Sequence, residues 1–138
     1  MSNCVFCKIV AWETPSQRVY EDDEFIAFLD INPVNFGHTL VIPREHYANF
    51  QVTPEQTLAG MMKIAKKIAP AMTTAMNAPA FNVTFNSGQE AGQAVDHVHL
   101  HIIPRYADDG HKSWIGRHRY AEGEMGATAS KIQELMSL

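Results

Sequence analysis

Hydrophobic and polar residues alternate strictly along Asp96-His97-Val98-His99-Leu100-His101-Ile102-Ile103-Pro104-Arg105. Histidine fills every second position three times running, with Val98, Leu100 and Ile102 between. A period of two marks a half-buried strand, whose successive side chains point to opposite faces. The aliphatic residues are therefore expected on a core face and the imidazoles in a row on the other. Pro104 lacks a backbone N–H and is expected to end the strand's ability to donate. Similar patterning predicts strands over Arg18–Glu21, Glu24–Asp30, His38–Ile42 and Phe81–Asn86. The first two join at Asp22-Asp23 as a hairpin. Residues 32–37 and 87–94 read as loops from their turn residues.

Thr53-Pro54-Glu55-Gln56 has the form of a helix start, with threonine as the cap, proline in the first helical position and Gln56 completing a capping box. Leu58, Met61, Met62, Ala65, Ile68, Ala69, Met72, Ala75 and Met76 follow at helical spacing. Pro70 removes a hydrogen bond and is expected to kink or end that helix. A short helix is expected from a cap at Ser2 or Asn3 to about Trp12, before Pro15. A last helix is expected from Thr128 to Met136, with Ile132, Leu135 and Met136 on one side. These elements make an α+β fold, a five-stranded, mainly antiparallel sheet with one long helix across a face and short terminal helices. With 138 residues and neither repeats nor linker, a single domain over 1–138 is expected.

Composition narrows the function classes. The chain is 46% hydrophobic and 19% charged, ordinary for a globular protein. A net charge of −4 argues against polymeric nucleic acid and anionic membranes as partners. No charged-then-apolar leader and no apolar run of roughly 18 residues is present, which points to the cytoplasm. Two cysteines cannot build a disulfide framework.

Three imidazoles on one face need a task, because unpaired polar groups in a packed layer are costly. Neutral imidazole, with an ordinary pKa of about 6.5, is a nucleophile near neutral pH and can attack phosphorus to form a covalent intermediate. A neighbouring ring can stabilise oxygen charge or assist a leaving group. Gly88 and Gly92, just upstream, let backbone N–H groups approach phosphate oxygens. Three alternate histidines could equally hold a catalytic zinc. Cys4-x-x-Cys7 could be redox-active or half of a zinc site, with His46 and His97 as candidates for the other two ligands.

The run His97-Val98-His99-Leu100-His101-Ile102-Ile103 resembles the signature of the histidine-triad (HIT) superfamily. Further resembling blocks are Cys4-Val5-Phe6-Cys7-Lys8-Ile9, Ala27-Phe28-Leu29-Asp30-Ile31-Asn32-Pro33, Gly37-His38-Thr39-Leu40-Val41-Ile42-Pro43 and Gly92-Gln93. The resemblance implies a nucleotide hydrolase or transferase that cleaves at the α-phosphate of nucleoside phosphoramidates or dinucleoside polyphosphates, or a binding module of the same fold with little turnover. It implies that His99 attacks phosphorus, that the main-chain carbonyl of His97 holds the His99 tautomer, and that His101 contacts the phosphate with His38 behind it. Asp30 would take the ribose hydroxyls and Ile31 the base of a purine nucleotide, with Asn86 and Gln93 beside the phosphate. The zinc-bearing members imply a structural Cys₂His₂ zinc on Cys4, Cys7, His46 and His97, and the family implies a homodimer. Two positions depart from the phosphoramidase-like pattern. Ala94 stands where a hydroxyl is common, and Pro104-Arg105 looks more like the polyphosphate-hydrolase branch. Arg105 is either a polyphosphate contact or a plain strand-end residue. His111, Trp114 and His118 lie in the unmatched tail and read as surface or dimer residues.

Overall fold

The computed structural model describes residues 3–112 and 114–137. The elements are α1 (Val5–Val10), β1 (Arg18–Glu21), β2 (Phe25–Leu29), β3 (Thr39–Pro43), α2 (Glu55–Ala75), β4 (Ala80–Phe85), a 3₁₀ turn (Gln89–Ala91), β5 (Leu100–Arg105) and α3 (Glu124–Met136). The strands form one sheet in the order β1-β2-β3-β5-β4, antiparallel throughout. This is the α+β, five-stranded architecture expected.

The sheet separates two cores. Helix α2 covers one face, where Met61, Ala65, Ala69 and Met72 pack with Phe25, Ala27, Val41, Val98, Leu100 and Ile102. The other face carries α1, with Phe6 and Ile9 packed on Ile26, Phe28, Leu40 and Ile42. The faces swap at every residue, so the histidine segment presents Val98, Leu100 and Ile102 to α2 and its imidazoles to the α1 side. Full burial of each aliphatic chain stabilises the fold by about 1.5–3 kcal/mol.

Several local expectations are corrected. The histidine strand starts at Leu100, not His97, because β3 pairs only with Leu100, His101 and Ile102. Its histidine face is not a half-exposed row, since His97 is fully buried and His99 nearly so. Pro104, which cannot donate, lies within the strand, one residue before its end. It pairs with Phe81 of β4, and its missing donor is tolerated where β3 no longer reaches. The N-terminal helix is capped by Cys4, whose Sγ accepts from the Cys7 N–H. Ser2, the other expected cap, lies outside the described residues. That helix ends at Val10, two residues early, and Trp12 takes a left-handed conformation with φ of 62°.

No capping box starts α2. The Thr53 hydroxyl donates to the Asn49 carbonyl, and the cap position falls on Pro54. The helix also does not end at Pro70 but runs five residues further. Lys66, whose carbonyl loses its partner, and Pro70 are both exposed, so water can serve that oxygen. Met62 faces out, while Ile64, absent from the expected stripe, is buried. The last helix begins at Glu124 rather than Thr128, and its apolar side is uncovered. Among the described residues no helix is long and apolar enough to cross a membrane.

Candidate functional site

The main chain fixes the proton on each buried imidazole. His99 Nδ1–H donates to the His97 carbonyl at 2.8 Å, so its lone pair is on Nε2. His97 Nε2–H donates to the Pro43 carbonyl at 2.8 Å, leaving Nδ1 as an acceptor. The Val34 N–H donates to His38 Nδ1 at 3.1 Å, which puts the His38 proton on Nε2. That proton points at His101 Nδ1, 2.9 Å away, so His101 carries its own proton on Nε2. His101 Nε2 is buried and has no protein acceptor. A nucleophilic nitrogen on His99 thus sits beside an unengaged donor on His101, with ring centroids 4.9 Å apart.

Burial keeps these rings neutral. It lowers His97 and His101 to about 4 from an ordinary 6.5, and it lowers His99 and His38 as well. For His38, Asp30 pulls the other way, with its carboxylate 3.7 Å from Nε2. Much of the cover comes from Phe6 on α1. Its ring meets His99 edge-on at 5.2 Å and His97 at 5.9 Å. The backbone after Tyr47 anchors the segment, since the Val98 N–H donates to the Tyr47 carbonyl at 2.7 Å.

The free Nδ1 of His97 faces Cys4, Cys7 and His46. The four ligand atoms lie within 4.8 Å of one another. His97 Nδ1 is 3.4 Å from Cys4 Sγ, 3.6 Å from Cys7 Sγ and 3.2 Å from His46 Nδ1, and Cys7 Sγ is 3.4 Å from His46 Nδ1. Zinc bonds of about 2.0–2.1 Å to nitrogen and about 2.3 Å to sulfur imply tetrahedral edges of about 3.4 Å (N···N) and about 3.6 Å (N···S). The cluster has that size. Burial, then the hydrogen bond and like charge of Cys4, push the Cys7 thiol up to about 11, so a cation is needed to hold thiolates there. The three triad rings do not converge on a metal of their own. The other candidate group among the described residues is Asp30, His38 and His101, where the His38–His101 hydrogen bond fills the space between two of the three.

The remaining expected site residues divide. Asp30 lies at the end of β2 beside His38, accepting from the Asn32 N–H at 2.8 Å. Ile31, next to it, is 89% exposed. Asn86 is half-buried under the loop, and its amide faces Gly92. Gln93 is buried and fully engaged, because its amide donates to the Ala48 and Val95 carbonyls and accepts from the Gly88 N–H. It holds the loop that Gly88 and Gly92 turn, both at φ of 95°. Ala94 is exposed at that loop's end. Arg105 is clamped, with donors on both Asp109 oxygens, the Asn82 side chain and the His111 carbonyl. Its charge is held in the fold by Asp109. His111, Trp114 and His118 are exposed.

Sequence reasoning did not single out Phe6, Pro43 and Val34. Phe6 was accessible, because Cys4 and Cys7 cannot both reach His97 without laying the residue between them on the triad. The Pro43 carbonyl and the Val34 N–H carry no side-chain signal.

A model of the HIT domain matches residues 11–108. The chain belongs to the HIT family. An uncharacterised HIT-like protein of Methanocaldococcus jannaschii is 48% identical over 107 residues, covering 78% of this chain and 82% of that one. The adenylylsulfatase HINT3 of Arabidopsis thaliana is 42% identical over 108 residues, covering 78% of this chain but only 55% of its own length. Among solved structures, SMU.412c of Streptococcus mutans superposes with a TM-score of 0.93 at 40% identity, covering 99% of this chain and 87% of that one. A zinc-bound histidine-triad protein of Mycobacterium smegmatis superposes at 0.75 with 37% identity, covering 97% and 98%.

Proposed function

We propose that this HIT protein is a nucleotide hydrolase or transferase that cleaves at the α-phosphate of nucleoside phosphoramidates or dinucleoside polyphosphates and releases a nucleoside monophosphate. The observation that carries this reading is the fixed pair of opposite valences, the lone pair on His99 Nε2 and the unengaged N–H on His101 Nε2. His99 Nε2 bonds to phosphorus as the bond to the leaving group breaks. His101 donates to a phosphoryl oxygen or to the leaving-group nitrogen or oxygen as that bond breaks, and water then cleaves the bond between phosphorus and His99 Nε2 and regenerates neutral His99. Asp30 receives the ribose hydroxyls, Ile31 supports a purine base, and Asn86 faces the phosphate. Gln93 acts through the loop it holds. The Arabidopsis relative's activity on an adenylyl compound supports the choice of an adenylyl group as donor.

The Cys4, Cys7, His46 and His97 cluster holds a structural zinc in this proposal, supported by its size and by the zinc-bound relative. Zinc supplies a tie between α1 and the triad segment and takes no part in the reaction. The chain works as one domain, in the cytoplasm, where thiols stay reduced. It forms a homodimer through the open edge of β4, where α2 and β4 frame an apolar groove of about 550 Å³ around Met62, Pro70, Phe81 and Val83.

The test is incubation with an adenylyl phosphoramidate, a diadenosine polyphosphate and adenylyl sulfate, followed by an alkaline denaturing quench, which preserves an acid-labile P–N adduct, and mass spectrometry. An adenylyl adduct on the His97–Arg105 peptide and release of AMP are expected, both absent in His99→Ala. AMP binding with no adduct and no turnover of any of the three would replace the enzyme with a nucleotide sensor.

A further inference from the structure

The two sulfurs of the four-ligand corner have a chemistry that its two imidazoles lack, since a pair of thiolates can give up two electrons and close on each other. Cys4 and Cys7 are the only cysteines in the chain, so within one molecule neither has another partner. They stand three residues apart on the first turn of α1, where side chains are neighbours with Cβ atoms about 5–6 Å apart. A disulfide asks for about 3.5–4.5 Å. Cys4 Sγ already accepts from the Cys7 N–H at 3.3 Å, and the two sulfurs lie within 4.8 Å of each other. A small closing movement of one turn brings them to bonding distance. Both residues are only half-buried, which leaves the turn open to small solutes.

That bond and the metal exclude each other. The thiolate is the metal ligand, and a disulfide leaves only His46 and His97, two donors short of a closed tetrahedral site. What is exchanged is a long tie for a short one. The corner joins Cys4 to His97 across 93 residues and Cys7 to His46 across 39, whereas the disulfide closes a single turn. A long closed loop restrains the unfolded chain far more than a short one. Helix α1 also loses its charged cap at Cys4, and with six residues it is too short to persist alone. Phe6 lies between the cysteines and covers His99 edge-on at 5.2 Å. A loosened α1 therefore takes that ring off the reactive imidazole.

We propose that Cys4 and Cys7 are a redox modification site, a clasp that a hydroperoxide closes into a disulfide, releasing the cation and freeing α1 and Phe6 from the triad segment. This rests on the zinc site proposed for the same corner. One thiolate takes an oxygen from the hydroperoxide as the O–O bond breaks, giving a sulfenic acid and, after protonation, an alcohol or water. The other thiolate attacks that sulfur, the S–O bond breaks, and hydroxide leaves as water. Two electrons pass from the sulfur pair to the peroxide, two protons come from solvent, and the zinc leaves as a dication. A dithiol reductant with zinc reverses the change.

The experiment titrates zinc-loaded full-length protein with hydrogen peroxide in the presence of a chromophoric zinc chelator. The bound zinc should be released in step with a loss of about 2 Da from the chain. Amides of α1 should then exchange hydrogen about 10-fold faster or more, and dithiothreitol with zinc should restore all three readings. In Cys4→Ser the peroxide should add oxygen to Cys7 with no loss of 2 Da. None of these readings needs turnover, so they stand apart from the nucleotide chemistry. Zinc kept by the disulfide form, thiols oxidised only to separate acids, or unchanged exchange at α1 after zinc release would overturn the clasp and leave the zinc site standing. A reduced protein that neither carries nor binds zinc would overturn both.

Discussion

Val98, Leu100 and Ile102 on one side of the histidine segment and His97 and His99 on the other are almost equally shielded from water, yet they are held in place by different means. The aliphatic side packs against α2 by shape. The histidine side is held by single hydrogen bonds from the main chain, to the carbonyls of Pro43 and His97 and from the N–H of Val34 through His38. Apolar packing tolerates any neighbour of the right volume. A tautomer chain has one acceptable partner at each link. One face stores stability and the other stores the direction of protons.

Substitutions on the two faces should therefore fail differently. The largest effect belongs to His99→Ala, which removes the nucleophile and should lower turnover about a thousandfold or more, while AMP affinity in titration calorimetry changes little. Comparable turnover would erase the distinction between the faces. Leu100→Ala should show the converse, a loss of about 2–5 kcal/mol of stability in urea unfolding, with turnover per folded molecule retained. Cys4→Ala tests the link between the faces and the N-terminus. Bound zinc should fall from one per chain to none, and activity should drop about 10–100-fold, whereas His101→Ala should keep its zinc. The reverse metal pattern would move the ion into the triad.

The smallest effect is in pH. The unfolded chain protonates His101 near 6.5 and the folded chain only near 4, so the unfolded state binds more protons between those values. Stability from this ring is full above about pH 6.5 and is lost as pH falls towards 4. The melting temperature should follow that course, and His101→Gln should lessen its slope, the rest coming from His97, His99 and His38. An unchanged slope would locate the acid sensitivity elsewhere.

The alternation at His97–Ile102 disclosed which residues share a face, because a strand's period is a property of the backbone. It could not disclose where pairing begins, since that depends on how far β3 extends, and β3 stops at residues facing Leu100–Ile102. Cys4 was legible as a metal ligand but not as a helix cap, a place sulfur seldom takes. Thr53 looked like a cap until the Asn49 carbonyl claimed its hydroxyl. Gln93 and Arg105 show the same limit. Their chemistry suited a phosphate, but their neighbours in space, the Ala48 and Val95 carbonyls for one and Asp109 for the other, already use them. Cys4-x-x-Cys7 was legible as half of a candidate metal site and the family resemblance supplied His46 and His97, while the Pro43 carbonyl that orients His97 lies in a backbone atom no pattern distinguishes.

The strand order has a consequence in time. Strands β1, β2 and β3 are sequence neighbours that pair by short connections, but α2 and β4 intervene before β5 inserts between β3 and β4. Pairing over so long a separation is slow to form. During synthesis Cys4 and Cys7 emerge 93 and 90 residues before His97, and His46 51 residues before it, so the candidate ligand set is incomplete until the triad segment arrives. The four candidate ligands and the His99 ring therefore come together only when the segment from His97 to Arg105 docks.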